Sequence, residues 1–314
     1  MNPLTAIYGA ASALRNSLFD RGALSVRRLE RPVVSVGNLS VGGAGKTPFV
    51  IALGELLQAR GVGFDVLSRG YGRKTRGVAV VAPDGTPGDF GDEPLLIARK
   101  LSVPVVVGES RYEAGRLAES TFASQLHILD DGFQHRALAR AFDIVLLTAS
   151  DFKDGLLPSG RLREPLTSLA RADAIALPAE LSAGNDALSG KLLWRMKREI
   201  AVPDAPERPV AFCGIARPEQ FFSQLRAMGI VSAAEIPFRD HYPYSLRDVE
   251  QLLAARSKHG AGGFVTTEKD AINLGSLRAK LDPLGVAVLN VTLDHPADIV
   301  DTILGRIGAP TLRS

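Results

Sequence analysis

With 314 residues, the chain is long enough for a large core and for two domains. At 46% hydrophobic and 23% charged it has an ordinary globular balance, with no apolar run of about eighteen residues that would span a bilayer. The single cysteine, Cys213, rules out an internal disulfide framework and reads as a small buried residue in a reducing cytoplasm, and the start lacks the charged-then-apolar order of a secretory signal.

Charge is placed unevenly. Formal net charge is +3, and residues 1–31 alone carry five arginines against Asp20 and Glu30, leaving the rest of the chain balanced. In that basic end Leu4, Ile7, Tyr8, Ala11, Leu14 and Leu18 follow helical spacing along one face. An apolar stripe beside arginines predicts an amphipathic helix over 1–28 that contacts an anionic membrane surface, or equally a terminal helix packed on the protein's own core. A nucleic-acid partner is not expected, because aromatic residues are not interleaved with the arginines.

Next comes "VVSVGNLSVGGAGKTPFV", 33–50. Val33, Val34 and Val36 form a β-branched strand signal, and from Thr47 apolar residues at Phe49, Val50, Leu53, Leu56 and Leu57 keep helical spacing. The loop between them, Ser40, Val41, Gly42, Gly43, Ala44, Gly45, Lys46 and Thr47, reads as a P-loop. Its glycines let backbone N–H groups converge on an anion at a helix N-terminus. Lys46 is predicted to reach the β/γ-phosphates and Thr47 to join a Mg²⁺ shell. Ser40 stands where the pattern asks for glycine, and is small enough for the cradle to form.

Strand-like runs follow at "FDVLS" (64–68), "GVAVVA" (77–82), "PVVVG" (104–108), "LHILDD" (126–131), "FDIVLL" (142–147) and "DAIAL" (173–177), with helices beginning near Asp92, Ser110 and Pro218. The alternation predicts an α/β fold, a P-loop domain with a mainly parallel sheet over 29–200. The polar, proline-containing text of 195–208 reads as a linker into a second, smaller α/β domain over 201–314, with a further helix from Ser245. Ligands in such sheets lie beyond the strands' carboxyl ends, which directs attention to Asp92 and Glu93, Arg111, and Asp130–His135. An apolar strand ending in Asp130 and Asp131 is a Walker B arrangement, in which carboxylate holds Mg²⁺. Taken singly, Asp92 could be a helix cap and the Asp130–Asp131 pair a turn.

Seven stretches in order, "GNLSVGGAGKTPFV", "SRGYGR", "GDEP", "LDDGFQH", "LPSGRLREP", "FRDHYPYS" and "TTEKD", resemble the tetraacyldisaccharide 4′-kinase family of Gram-negative lipid A biosynthesis. The resemblance implies an ATP- and Mg²⁺-dependent enzyme, peripheral on the cytoplasmic face of the inner membrane. It would phosphorylate the 4′-hydroxyl of an acylated glucosamine disaccharide 1-phosphate, with no obligate protein partner. It further implies an acid–base dyad in which His241 orients Asp92 and raises its basicity. Catalysis then rests on Asp92, His241 and Lys46, with Thr47, Asp130 and Asp131 around the metal and Glu93 supporting that region. Arg111 and Arg163 are implied for phosphate binding, and His135 for a site position. Two other classes share the loop, a regulatory GTPase and a non-catalytic ATP-binding membrane adaptor. The first lacks the spacer of N/T-K-x-D, since Lys269 directly precedes Asp270. The second has no need of Asp92, Asp130 and Asp131.

Overall fold

The computed structural model describes residues 2–181 and 186–308. Helix α1 (Pro3–Asp20) opens the chain, with Asn2 capping the Leu4 N–H and proline in the first turn. No residue of α1 is buried. Its inner side makes polar contacts: Tyr8 donates to the Arg163 carbonyl at 3.1 Å, Arg15 to the Gln134 carbonyl at 2.9 Å, and Asn16 to Glu164 at 2.8 Å. Leu4, Ile7 and Leu14 point outward, 59%, 65% and 62% exposed. Leu4, Ile7, Ala11 and Leu14 of the apolar stripe are therefore exposed, while Tyr8 and Leu18 are half-buried.

The first half then runs β1 (Val33–Asn38), α2 (Lys46–Ala59), β2 (Phe64–Ser68), β3 (Ala79–Val80), α3 (Pro87–Phe90), α4 (Asp92–Leu101), β4 (Val105–Val107), α5 (Arg111–Thr121), β5 (Leu126–Asp130), β6 (Phe142–Leu146), β7 (Ala174–Pro178) and β8 (Leu192–Ala201). The second half runs β9 (Val210–Cys213), α6 (Pro218–Ala227), β10 (Ala234–Pro237), α7 (Leu246–His259), β11 (Phe264–Thr267), α8 (Glu268–Leu274), β12 (Leu284–Leu293) and α9 (Pro296–Ile307). The twelve strands of the described residues join one sheet, ordered β10-β9-β11-β12-β8-β7-β6-β1-β5-β2-β4-β3. Neighbours are parallel except β3 with β4 and β12 with β8.

Strand β8 occupies the first part of the segment expected to be a linker. Its polar text hides a two-residue period: Trp194 and Met196 are buried, while Lys197 and Glu199 face solvent. It pairs with β12 from Met196↔Leu293 to Ala201↔Val288, so the sheet continues across residue 200. The expected 201–314 unit also differs at its far end. Helix α9 places Ile299, Val300, Ile303 and Leu304 in the core formed by Val34, Phe49, Leu53 and Ile128, because its apolar face lands beside α2. On the opposite face α5 covers Leu67, Val106 and Leu129 with Ala114 and Ala118. The second half has its own core, Phe212, Val249, Leu252 and Phe264 on one face and Cys213, Phe222 and Leu225 on the other. Cys213 is thus a buried strand residue, its thiol pushed up to about 12 by burial.

Candidate active site

The P-loop leaves β1 and enters α2. Gly42, Gly43 and Gly45 adopt φ of 72°, 67° and 77°, the left-handed region that side chains resist and that anion-binding nests use. A Cβ added at Gly42 or Gly43 would also meet the second half, the Ala216 Cβ at 3.0 Å and the Arg217 side chain at 3.1 Å, and one added at Gly45 would meet the Arg198 guanidinium of β8 at 3.1 Å. Arg198 donates to the Ala44 carbonyl. Ser40 fits without glycine because it is fully buried, its carbonyl taking a 2.7 Å hydrogen bond from Asn38, while the Val41 N–H is held by the Arg161 carbonyl at 2.8 Å. Lys46 bends back to Asn38 Oδ1 at 3.1 Å and to Asp131 at 3.4 Å, and Thr47 is buried at the helix start.

Asp130 ends β5, the strand beside β1, and is buried. Ser68 donates to its Oδ2 at 3.1 Å, while Oδ1 has no partner. Burial, with the charges of Glu93 and Asp131, pushes its carboxyl up to about 7. Asp131, at φ 50°, receives Arg163 at 3.0 Å. Burial works to raise its carboxyl too, but Lys46 and Arg163 overcome this and hold it low. Among the described residues no cluster of three His, Cys, Asp or Glu groups encloses a metal. A hard cation with a partial protein shell nevertheless fits: the orphaned Asp130 oxygen, Asp131 and the Thr47 hydroxyl offer oxygen ligands, and a phosphate would supply others.

Cationic residues adjoin the two carboxylates, Arg163 at Asp131 and Arg111 near both. Arg111 opens α5 buried, with Nε unpartnered, its pKa lowered by burial and by Arg69. His135 is pushed down to about 4 by burial and by Arg111, Arg140 and Arg15, so it is neutral at neutral pH.

Asp92 and His241 meet across the two halves. Asp92 opens α4, 3% exposed, and His241 Nδ1 lies 2.9 Å from its Oδ2 and 3.1 Å from its Oδ1. Asn273 donates to Oδ2 at 3.2 Å, the Glu93 N–H to Oδ1 at 2.9 Å, and Lys269 Nζ stands 3.8 Å away while pairing with Glu93 at 3.3 Å. His241 is held at φ 54°, its N–H donating to the Gly214 carbonyl at 3.1 Å and its ring beside Tyr71. Burial works to raise the Asp92 carboxyl, but His241 and Lys269 prevail and hold it low, while Asp92 raises His241. The expectation that His241 increases the basicity of Asp92 is therefore corrected. Hydrogen bonds to the charged form stabilise it, so the contact keeps Asp92 ionised and oriented.

Lys269, Asn273, Asn38, Ser68, Arg198 and Arg217 are site residues that sequence reasoning did not assign. Lys269 and Asn273 are four apart on α8 and share a face, a spacing visible in "TTEKDAIN" once that segment is known to be helical. Asp270 has a structural role: buried, it accepts the Gly214 N–H and the Tyr244 hydroxyl, each at 2.8 Å, so it is not available to read a guanine base.

A phosphate cradle with its lysine, an acidic strand end beside it and a carboxylate–imidazole pair facing it across two halves define a P-loop phosphotransferase, an enzyme that moves a phosphoryl group onto an acceptor hydroxyl. Comparison with known proteins identifies which one. The family model described as LpxK, tetraacyldisaccharide-1-P 4′-kinase, matches residues 1–308. The tetraacyldisaccharide 4′-kinase of Koribacter versatilis is 49% identical over 97% of this chain and 98% of that protein, and that of Geobacter metallireducens 38% over 96% and 95%. A solved structure of LpxK from Aquifex aeolicus in complex with ATP superimposes with a TM-score of 0.80 at 35% identity, covering 97% of both chains. The chain belongs to the tetraacyldisaccharide 4′-kinase family, an ATP-dependent kinase of lipid A biosynthesis.

Proposed function

We propose that in this reaction Asp92 and His241 act as one acid–base unit toward the 4′-hydroxyl of the tetraacyldisaccharide 1-phosphate, with Lys46 opposite them on the phosphoryl group. The observation that carries the reading is the 2.9 Å contact of His241 with Asp92. It joins a loop of the second half to the first turn of α4, so the unit exists only when the halves are apposed. Ionised at neutral pH, Asp92 is ready to accept the hydroxyl proton, and His241 fixes its direction. Backbone N–H groups of 42–46 and the Lys46 ammonium hold the β- and γ-phosphates. Thr47, Asp130 and Asp131 would hold Mg²⁺, which would supply positive charge against the phosphates. Arg111, Arg163 and neutral His135 line the anionic side, for the substrate's 1-phosphate or the nucleotide's phosphates.

The same proposal places the enzyme peripherally on the cytoplasmic face of the inner membrane. No described helix is long and apolar enough to cross a bilayer. The outward stripe of Leu4, Ile7 and Leu14 beside the basic end supports insertion of α1 into an anionic interface. Through Tyr8, Arg15 and Asn16 the inner side of α1 touches the segments carrying Arg163 and His135, which would set the acylated acceptor beside the site.

The test is a double-mutant cycle with labelled ATP and the lipid acceptor. Losing a positioned base costs about 10² to 10⁴ in rate, and Asp92→Ala with His241→Ala is expected to be little worse than Asp92→Ala alone. Fully multiplicative losses would show two independent residues and overturn the pair.

A further inference from the structure

"TTEKD" closes β11 and opens α8, and most of it is structural. Thr266 donates to the Phe212 carbonyl at 2.8 Å, Thr267 caps α8 through the Asp270 N–H, and Glu268 pairs with Lys100. Lys269 does something else. Its side chain crosses from the second half to the first turn of α4 and ends between Glu93 at 3.3 Å and Asp92 at 3.8 Å.

That position lies on the path of the reaction. The nucleotide end is marked by Lys46 and Asp130 and the acceptor end by Asp92 and His241. Glu93, next to Asp92 in the chain, is close enough for its charge to act on Asp130 while it pairs with Lys269. A phosphoryl group passing from one end to the other carries negative charge past two carboxylates. Among the described residues, Lys269 is the cation paired with both Asp92 and Glu93. Its ammonium has three donors; Glu93 takes one, and 3.8 Å is too long for a hydrogen bond to Asp92. Two N–H groups therefore remain for another oxygen.

We propose that Lys269 is a further catalytic residue, delivered by the second half, that donates to the phosphoryl group in transit. In the step, the acceptor oxygen forms its bond to the γ-phosphorus, the bond from that phosphorus to the β,γ-bridging oxygen breaks with its electron pair leaving on ADP, and the acceptor proton passes to Asp92. Lys269 neither gains nor loses a proton; it balances charge on the equatorial oxygens, as an arginine supplied from outside the loop does in other P-loop enzymes. The inference rests on the reading of Asp92 as the group that meets the acceptor.

The experiment uses the full chain, Mg·ATP and the lipid acceptor in mixed micelles. It measures turnover across pH, affinity for a non-hydrolysable ATP analogue, and thermal unfolding. K269M is expected to lose about 10² to 10³ in kcat at every pH, with analogue affinity within about threefold of wild type. K269R, keeping the charge with altered geometry, should fall between. If K269M does not fold, K269Q, which keeps a donor for Glu93, carries the same expectation. Three outcomes overturn the proposal: a kcat loss below about threefold, an analogue affinity that falls in step with kcat, or a shift of the acid limb with the plateau intact, which would mean that the lysine only tunes Asp92. Full turnover by D92A would instead refute the placement of the acceptor, and is read separately from the K269 series.

Discussion

Replacing Asp130 by asparagine should abolish turnover with Mg·ATP and make the metal-free protein more stable. The wild-type carboxyl is buried, one oxygen has no partner, and its pKa is raised from an ordinary 3.8 to about 7 by burial and by Glu93 and Asp131. A group whose pKa is raised by folding stabilises the fold fully only below its unfolded value. That contribution is lost progressively as pH climbs from about 4 to about 7, and the loss is constant above. A shift of about 3 units at ~1.4 kcal/mol each sets a ceiling near 4 kcal/mol. Local relaxation and water entry reduce this, and about 1–2 kcal/mol is a realistic gain for a neutral amide that still accepts from Ser68. For a chain of this size that corresponds to roughly 2–6 °C in Tm. Differential scanning fluorimetry of the two proteins in chelator, stepped from pH 4 to pH 8.5, gives the answer. The Tm difference should grow through pH 4 to 7 and then flatten. A difference independent of pH, or a less stable variant at pH 8, would refute the account of Asp130 as a carboxylate held at energetic cost for its ligand.

Two further outcomes follow from the geometry. Lys46→Ala should keep the fold, because the ammonium's partners are Asn38 and Asp131 at the loop rather than the core, yet lose most turnover; near-normal activity would remove the loop from the ATP site. The triple variant Leu4→Asp, Ile7→Asp, Leu14→Asp should leave Tm unchanged, since all three side chains are more than half exposed, while binding to anionic vesicles drops, with equal sedimentation of both proteins counting against α1 as the membrane contact.

Much of this site was readable without coordinates, because its parts are local. A β-branched run, three glycines and a GKT before a helical pattern specify strand, nest and helix within 33–57, and an apolar strand ending in Asp130 is equally self-contained. The starts of α4, α5, α6 and α7 followed from proline, acidic and serine caps. What could not be read depends on chain segments meeting. Strand β8 looks like a linker because Arg195, Lys197 and Glu199 mask an alternation that only its pairing with β12 makes visible. Lys269 and Asn273 enter the site because α8 packs on α4, Arg217 because the second half leans on the P-loop, and Arg198 because β8 runs beside it. The sense in which His241 changes Asp92 was also out of reach, since it is set by how deeply the carboxylate is buried and how many donors surround it.

The return of α9 to the first core has a consequence for synthesis. Strands β9, β10 and β11, with α6 and α7, are complete before residue 268, and the core they close needs only Leu274, Leu281 and the start of β12 to finish it. The P-loop half, translated first, lacks Ile299, Val300, Ile303 and Leu304 beside Phe49 until the last described helix has emerged. On the ribosome the order of completion is therefore the reverse of the order of reading, and the nucleotide-binding half finishes only after the part that supplies His241 and Lys269.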